Sequence, residues 1–156
     1  YMRYTMLFVC LLGGVLQAQH GHSPKGSQPP VRLYDGIGSH QHIIKTSSPE
    51  AQKYFSQGLV LLYGFNHDEA LRSFERAAQL DPKSPMPLWG MALVLGANYN
   101  DPGSGDRNQK AHETIQKALG MIGNVPAPEQ AYVKALATRY AADPKADPRG
   151  LALAYK

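Results

Sequence analysis

Residues 63–82 read YGFNHDEALRSFERAAQLDP. Ala70, Phe74 and Ala77 fall at i, i+4 and i+7, a spacing that puts them on one face of an α-helix. Ala70 and Ala77 are small, so a second helix can come close, and Phe74 can fill the space beside them. Asn66 ahead of the run and Glu69 within it supply an N-cap and its reciprocal partner. Asp81-Pro82 closes it. The stretch therefore predicts the second helix of a tightly packed pair.

On its N-terminal side, Ser47 to Glu50 has the form of a capping box, with Pro49 in the first turn, where its missing N–H does no harm. The helix predicted from there, PEAQKYFSQGLVLLYGF, keeps Ala51, Tyr54, Phe55, Leu59, Leu62 and Tyr63 at helical spacing. Gly58 lies inside it. A mid-helix Gly costs up to about 1 kcal/mol relative to Ala, so close approach by the neighbouring helix, at Ala70 and Ala77, is expected there. On the C-terminal side the pattern recurs. SPMPLWGMALVLGAN (84–98) reads as another first helix, capped by Ser84, with Trp89, Ala92, Leu93 and Leu95 apolar. After the loop YNDPGSGD, the run RNQKAHETIQKALGMI repeats the spacing in Ala111, Ile115 and Ala118. EQAYVKALATRYAA (129–142) predicts a third first-type helix, and Asp147-Pro148 opens one more, ending in GLALAYK.

These residues resemble the tetratricopeptide repeat. That helix-turn-helix unit of about 34 residues wants a large residue, a Leu-Gly pair and a Tyr in its first helix, Ala, Phe and Ala in its second, and a closing Pro. In 51–84, Tyr54, Gly58, Ala70, Phe74, Ala77 and Pro82 stand at those places, with Gln57 and Leu61 where Leu and Tyr are usual. In 85–125, Leu88, Met91, Ala92, Leu95, Ala111, Ile115 and Ala118 do so across a longer connection, and Gly123 stands where Pro is expected. The unit 126–156 carries Val133, Leu136, Ala137 and Tyr140, with an incomplete second helix. FNHDEALRSFERAAQLDP, LWGMALVLGANYN and EQAYVKALATRYA are similar in particular to exported bacterial proteins of this family, whose repeats run well beyond this length.

The resemblance implies an all-α solenoid of αα-hairpins over 49–156, with a concave groove built from first helices. Its groove positions would be Gln52, Phe55, Leu59, Leu62 and Tyr63, then Met86, Trp89 and Leu93. Large apolar side chains so placed can anchor a peptide. The expected function is a protein–protein interaction scaffold that binds a peptide or protein segment, with no enzymatic activity and no cofactor. Lys53 and Arg72 are expected beside the groove, where they would hold an acidic segment or a C-terminal carboxylate. The competing expectation is that Phe55, Trp89 and Leu93 pack against the preceding segment or the next repeat.

The N-terminal residues obey other rules. Arg3, an apolar run from Met6 to Leu16 and then Ala18 form the pattern of a secretory signal peptide over 1–18, cleaved after Ala18. The run is shorter than the ~20 residues a membrane-spanning helix needs, so no stable membrane insertion is expected after cleavage. A buried N-terminal helix or a retained anchor is the alternative. The expected setting is periplasmic or secreted. Cys10 would leave with the signal, and the mature chain would have no disulfide or thiol chemistry. Tyr1 before Met2, and the break in an apolar run at the other end, read as a piece of a longer frame.

Residues 19–48, rich in His, Gly and Pro, predict a flexible tether in which only Val31, Leu33, Tyr34, Ile43 and Ile44 can dock on a core. Its His20, His22, His40 and His42 carry a rival function. Imidazole binds Cu and Zn, and a periplasmic metal-binding protein would use these residues. With no Cys beside them and only Asp35 as an acid, an adventitious site is the stronger expectation. A third reading is the adaptor region of a longer enzyme.

Other classes find little support. GSG at 103–105 lacks the Lys of a phosphate loop. Ser104, Asp106 and His112 are neighbours in sequence, which is no sign of a triad recognised by geometry. The loop Asn98–Asp101 has polar groups that either bind something or cap a turn, the turn being favoured. The net charge of +4 is dispersed, so no nucleic-acid partner is expected.

Overall fold

A computed structural model describes residues 29–98, 100–101, 103–143 and 145–156. The expected signal peptide, with Cys10, and also His20 and His22, lie outside the described residues. Among those described, the structure is all-α: six helices, one 3₁₀ turn (Ile122–Asn124) and an isolated bridge between Asn98 and Asp101. Among the described residues no helix is long and apolar enough to cross a membrane.

The first helix, α1 (Pro49–Tyr63), begins one residue later than the expected capping box. Ser48 is the N-cap and accepts from the Ala51 N–H. Ser47 instead gives its N–H and hydroxyl to the Asp81 carboxylate. α2 (His67–Leu80) starts at Asn66, whose side chain accepts from the Glu69 N–H as predicted. α3 (Pro85–Leu95) follows Ser84, but that hydroxyl makes no cap; it donates to the Lys45 carbonyl at 3.0 Å. α4 (Gly105–Leu119) is capped by Ser104. α5 (Ala127–Ala137) stops short of the predicted 142, because Thr138 turns its hydroxyl onto the Ala135 carbonyl and Tyr140 swings in to reach the Ala92 carbonyl at 3.0 Å. Burial pushes the Tyr140 phenol up to about 12. α6 (Pro148–Ala154) opens on Asp147 as predicted.

Consecutive helices from α1 to α5 pack on one another, most closely α1 with α2 and α3 with α4. The odd helices also touch one another, α1 with α3 and α3 with α5, while α2 and α4 make at most marginal contact. α1, α3 and α5 thus lie side by side on one face of the helix array.

The helix pairs close around Phe74. Its ring is fully buried between two glycines: a Cβ on Gly58 of α1 would lie 2.6 Å from it, and a Cβ on Gly90 of α3 would lie 2.5 Å from it. Gly58 therefore meets Phe74 most closely on the α2 face that the sequence marked with Ala70, Phe74 and Ala77. Both alanines are fully buried in the same core.

Residues 31–46 form an extended strap over α1 and the start of α5. Val31 and Ile44 join the core, whereas Leu33 and Ile43 point to solvent. Two glutamines of α1 bracket its backbone. Gln57 accepts the Tyr34 N–H at 2.8 Å and donates to the Arg32 carbonyl at 2.9 Å. Gln52 does the same for the Ile44 N–H at 2.9 Å and the His42 carbonyl at 2.8 Å. The Glu129 carboxylate accepts the Lys45 N–H, and Asp81 accepts the Thr46 hydroxyl at 2.7 Å. This part of the expected tether is thus tied down along its backbone.

Candidate functional site

The last turn of α1 decides the geometry of the site. The Asn66 N–H reaches the Leu61 carbonyl and the Phe65 N–H reaches the Leu62 carbonyl, which is the Schellman ending of a helix. The residue that must turn left-handed there is usually Gly. Here it is Phe65, at φ 61°, and its ring is 66% exposed. A bulky side chain in that conformation is disfavoured by roughly 1–2 kcal/mol.

Phe65 and Tyr63 stand at the mouth of a cleft of about 390 Å³. Leu62, His67, Trp89, Leu93, Ala97, Asn98, Tyr132, Arg139 and Tyr155 complete its lining. A smaller hollow of about 240 Å³, lined by His40, His42, Leu59, Tyr63, Trp89 and Tyr132, adjoins it across shared residues. Aromatic rings run from core to surface through both. Phe55 lies 5.5 Å from Phe74 and 6.5 Å from Trp89 between ring centroids. Trp89 meets Tyr132 edge-on at 5.7 Å, and Tyr132 meets His42 at 5.6 Å. Such edge-to-face packing fixes ring positions better than aliphatic contact does.

Arg139 joins three elements. It donates to the Ala97 carbonyl in the α3–α4 connection, and its guanidinium lies 5.1 Å from the Tyr155 ring and 6.0 Å from the Tyr140 ring.

Of the expected groove residues, Leu62, Tyr63, Trp89 and Leu93 line the cleft, and Leu59 with Tyr63 and Trp89 lines the smaller hollow. Trp89 shows only an edge, at 8% exposure. Phe55 and Met86 are corrections. Both are fully buried: Phe55 is packed against Phe74, Trp89 and His42, and Met86 joins the same core. Neither offers surface to a partner. Gln52 is occupied by the strap. Lys53 and Arg72 do not line the cleft either. Lys53 lies beside the strap with Asp35, and Arg72 pairs with Glu69. The charged residue of the cleft is Arg139. Phe65, His67, Tyr132, Arg139 and Tyr155 were not anticipated. A signal for Phe65 existed in Gly64-Phe65-Asn66, a helix ending with its Gly one position early.

The remaining polar clusters bond mainly within themselves, although Glu129 Oε2 and Arg107 Nε and Nη2 are buried with no hydrogen-bond partner. Asn98 accepts from the Asn100 and Asp101 N–H groups, while Asp101 accepts from the Gly103 N–H at 2.8 Å and pairs with Arg107 at 2.8 Å. The Gly103 N–H and Arg107 hold the Asp101 carboxyl below its usual range. At Asp81, burial pushes the carboxyl up, but hydrogen bonds from Thr46, Ser47 and Lys83 outweigh it and hold the group low. Glu129 is 5% exposed. Burial pushes its carboxyl up, against the Lys45 N–H and the charges of His42 and Lys45. His42 is turned onto the rings of Phe55 and Tyr132, and among the described residues no three His, Cys, Asp or Glu side chains converge.

No family model matches the chain, and no curated protein or solved structure matches it either.

Proposed function

We propose that this chain is an exported scaffold of the tetratricopeptide kind that captures a peptide or protein segment in the groove formed by α1, α3 and α5. The export half of the reading rests on Arg3 and the run Met6–Leu16. The observation that carries the capture half is Phe65. A helix ending that stability would give to Gly carries instead a large, exposed ring, which lines an aromatic cleft together with Tyr63, Trp89 and Tyr132. Strain of this sort is retained where the side chain is needed. The strap adds support: α1 already holds one extended backbone beside the groove through Gln52 and Gln57, so its face suits extended chains.

The test is a random peptide library displayed on phage, panned against the full chain. Enriched peptides are then titrated by calorimetry against the parent, Tyr63→Ser and Phe65→Gly. Enrichment of an apolar or aromatic motif is expected, with affinity falling at least about tenfold in each variant. Failure to enrich any peptide over an unrelated helical protein, or equal affinity for all three proteins, overturns the reading.

A further inference from the structure

Neither hollow of the groove has an acidic wall. Among the described residues no Asp or Glu lines the cleft or the smaller hollow beside it, and apart from tyrosines the ionisable groups there are Arg139, His40, His42 and His67. The hollows outside the groove differ: one contains Asp35 and another Asp81. The ion pairs among the described residues are Arg72–Glu69 and Arg107–Asp101. Arg139 has aromatic faces and one backbone carbonyl, but no carboxylate. A guanidinium has five N–H donors in a planar fork, so the bond to Ala97 leaves most of them for an incoming acceptor. Asp101 is near enough to His67, and Glu129 to His42, to act on them, but neither lines a hollow of the groove, so Arg139 offers its charge to a ligand with no carboxylate bound to it.

We infer that the segment seated in the groove is acidic, with an apolar or aromatic side chain entering between Tyr63, Phe65 and Tyr132 and a neighbouring Asp or Glu carboxylate lying on Arg139. The inference rests on the peptide-capture reading above and adds to it the sign of the ligand's charge.

The experiment uses the full chain and fluorescein-labelled peptides, acetylated and amidated so that no terminal charge contributes. Each has a central Phe, flanked by Asp and Glu in the first, by Asn and Gln in the second, and by Lys in the third. Fluorescence anisotropy at low salt should place the acidic peptide roughly five- to tenfold tighter than the neutral one and the basic one weakest. The acidic advantage should shrink as sodium chloride is raised, and vanish in Arg139→Gln at parent-like helix content. Should that variant fail to fold, the salt series on the parent decides: an advantage that does not change with salt overturns the inference. Equal binding of acidic and neutral peptides, or preference for the basic one, overturns the charge assignment and leaves peptide capture standing. Binding of none of the three removes the peptide-capture reading, and the inference with it.

Discussion

Replacing a mid-helix Gly by Ala should, on helix propensity alone, stabilise a protein by about 1 kcal/mol. Gly58→Ala is expected to do the reverse. The new methyl would sit 2.6 Å from the Phe74 ring, about 1 Å inside ordinary van der Waals contact. The ring has little room to retreat, because a Cβ on Gly90 would also meet it at 2.5 Å and Phe55 packs near it at 5.5 Å between centroids. Overpacking of a closed core site costs typically 1–3 kcal/mol, which outweighs the propensity gain. The net loss expected is up to about 2 kcal/mol, or roughly 4 °C in Tm per kcal/mol for a helical region of this size. Gly90→Ala should behave alike. Urea unfolding followed by circular dichroism measures both. The cause is isolated by Phe74→Leu, which loses core volume on its own but makes room for the methyl. The double variant Gly58→Ala/Phe74→Leu should therefore be more stable than the sum of the single effects, by about 1 kcal/mol or more. If Gly58→Ala raised the melting temperature, or the two changes were additive, the account of the Phe74 sandwich would be wrong.

Phe65→Gly should raise stability by about 1 kcal/mol by relieving the left-handed backbone, even as it removes the mouth of the cleft; a melting scan reads the sign. Gln57→Leu should leave the Tyr34 N–H and Arg32 carbonyl without partners, cost about 1–3 kcal/mol, and speed tryptic cleavage after Arg32 and Lys45 in limited proteolysis. Two carboxylates give opposite pH slopes. Asp81, held low by its hydrogen bonds, contributes stability that is present above its ordinary value of 3.8 and lost as pH falls through its lower folded value. Glu129, raised by burial, contributes stability that is complete below its ordinary 4.5 and lost as pH rises through its higher folded value. In urea titrations across pH, Asp81→Asn should flatten the acid limb and Glu129→Gln the limb above 4.5.

The hairpin of α1 and α2 was legible because its second helix is strongly amphipathic, with Ala70, Phe74 and Ala77 set against charged neighbours. The helix α3 was not legible in the same way. PMPLWGMALVL is apolar all round, so its period says nothing about which side faces Phe74 and which the groove. Gly90 therefore passed unnoticed, and Met86 was placed in the groove although it is core. Phe55 was misplaced for a related reason. The repeat pattern assigns its position to the groove, but the ring packs against Phe74, the strap's His42 and the α3 residue Trp89. Ser47 and Ser84 look like caps in sequence, and each was claimed by a distant partner that only folding brings near. The cleft was half readable. Leu62, Tyr63, Trp89 and Leu93 come from helices whose pattern was clear, while Tyr132, Arg139 and Tyr155 converge from separate stretches of the C-terminal third, where no local period links them.

The glutamine brackets on α1 leave a mark on what evolution and engineering can do with the strap. Gln52 and Gln57 address peptide groups, the N–H of one residue and the carbonyl two before it, and so are indifferent to most side chains the strap carries. Latitude is therefore wide at the solvent-facing Leu33, Asp35 and Ile43, and narrow at Val31 and Ile44, which enter the core, and at Gly36 and Gly38, whose φ values are 77° and 96°. One residue type breaks this tolerance by a different route. Proline has no amide hydrogen, so Tyr34→Pro or Ile44→Pro would deprive a bracket of the donor it accepts, while proline at Leu33 or Ile43 would leave both brackets their donors.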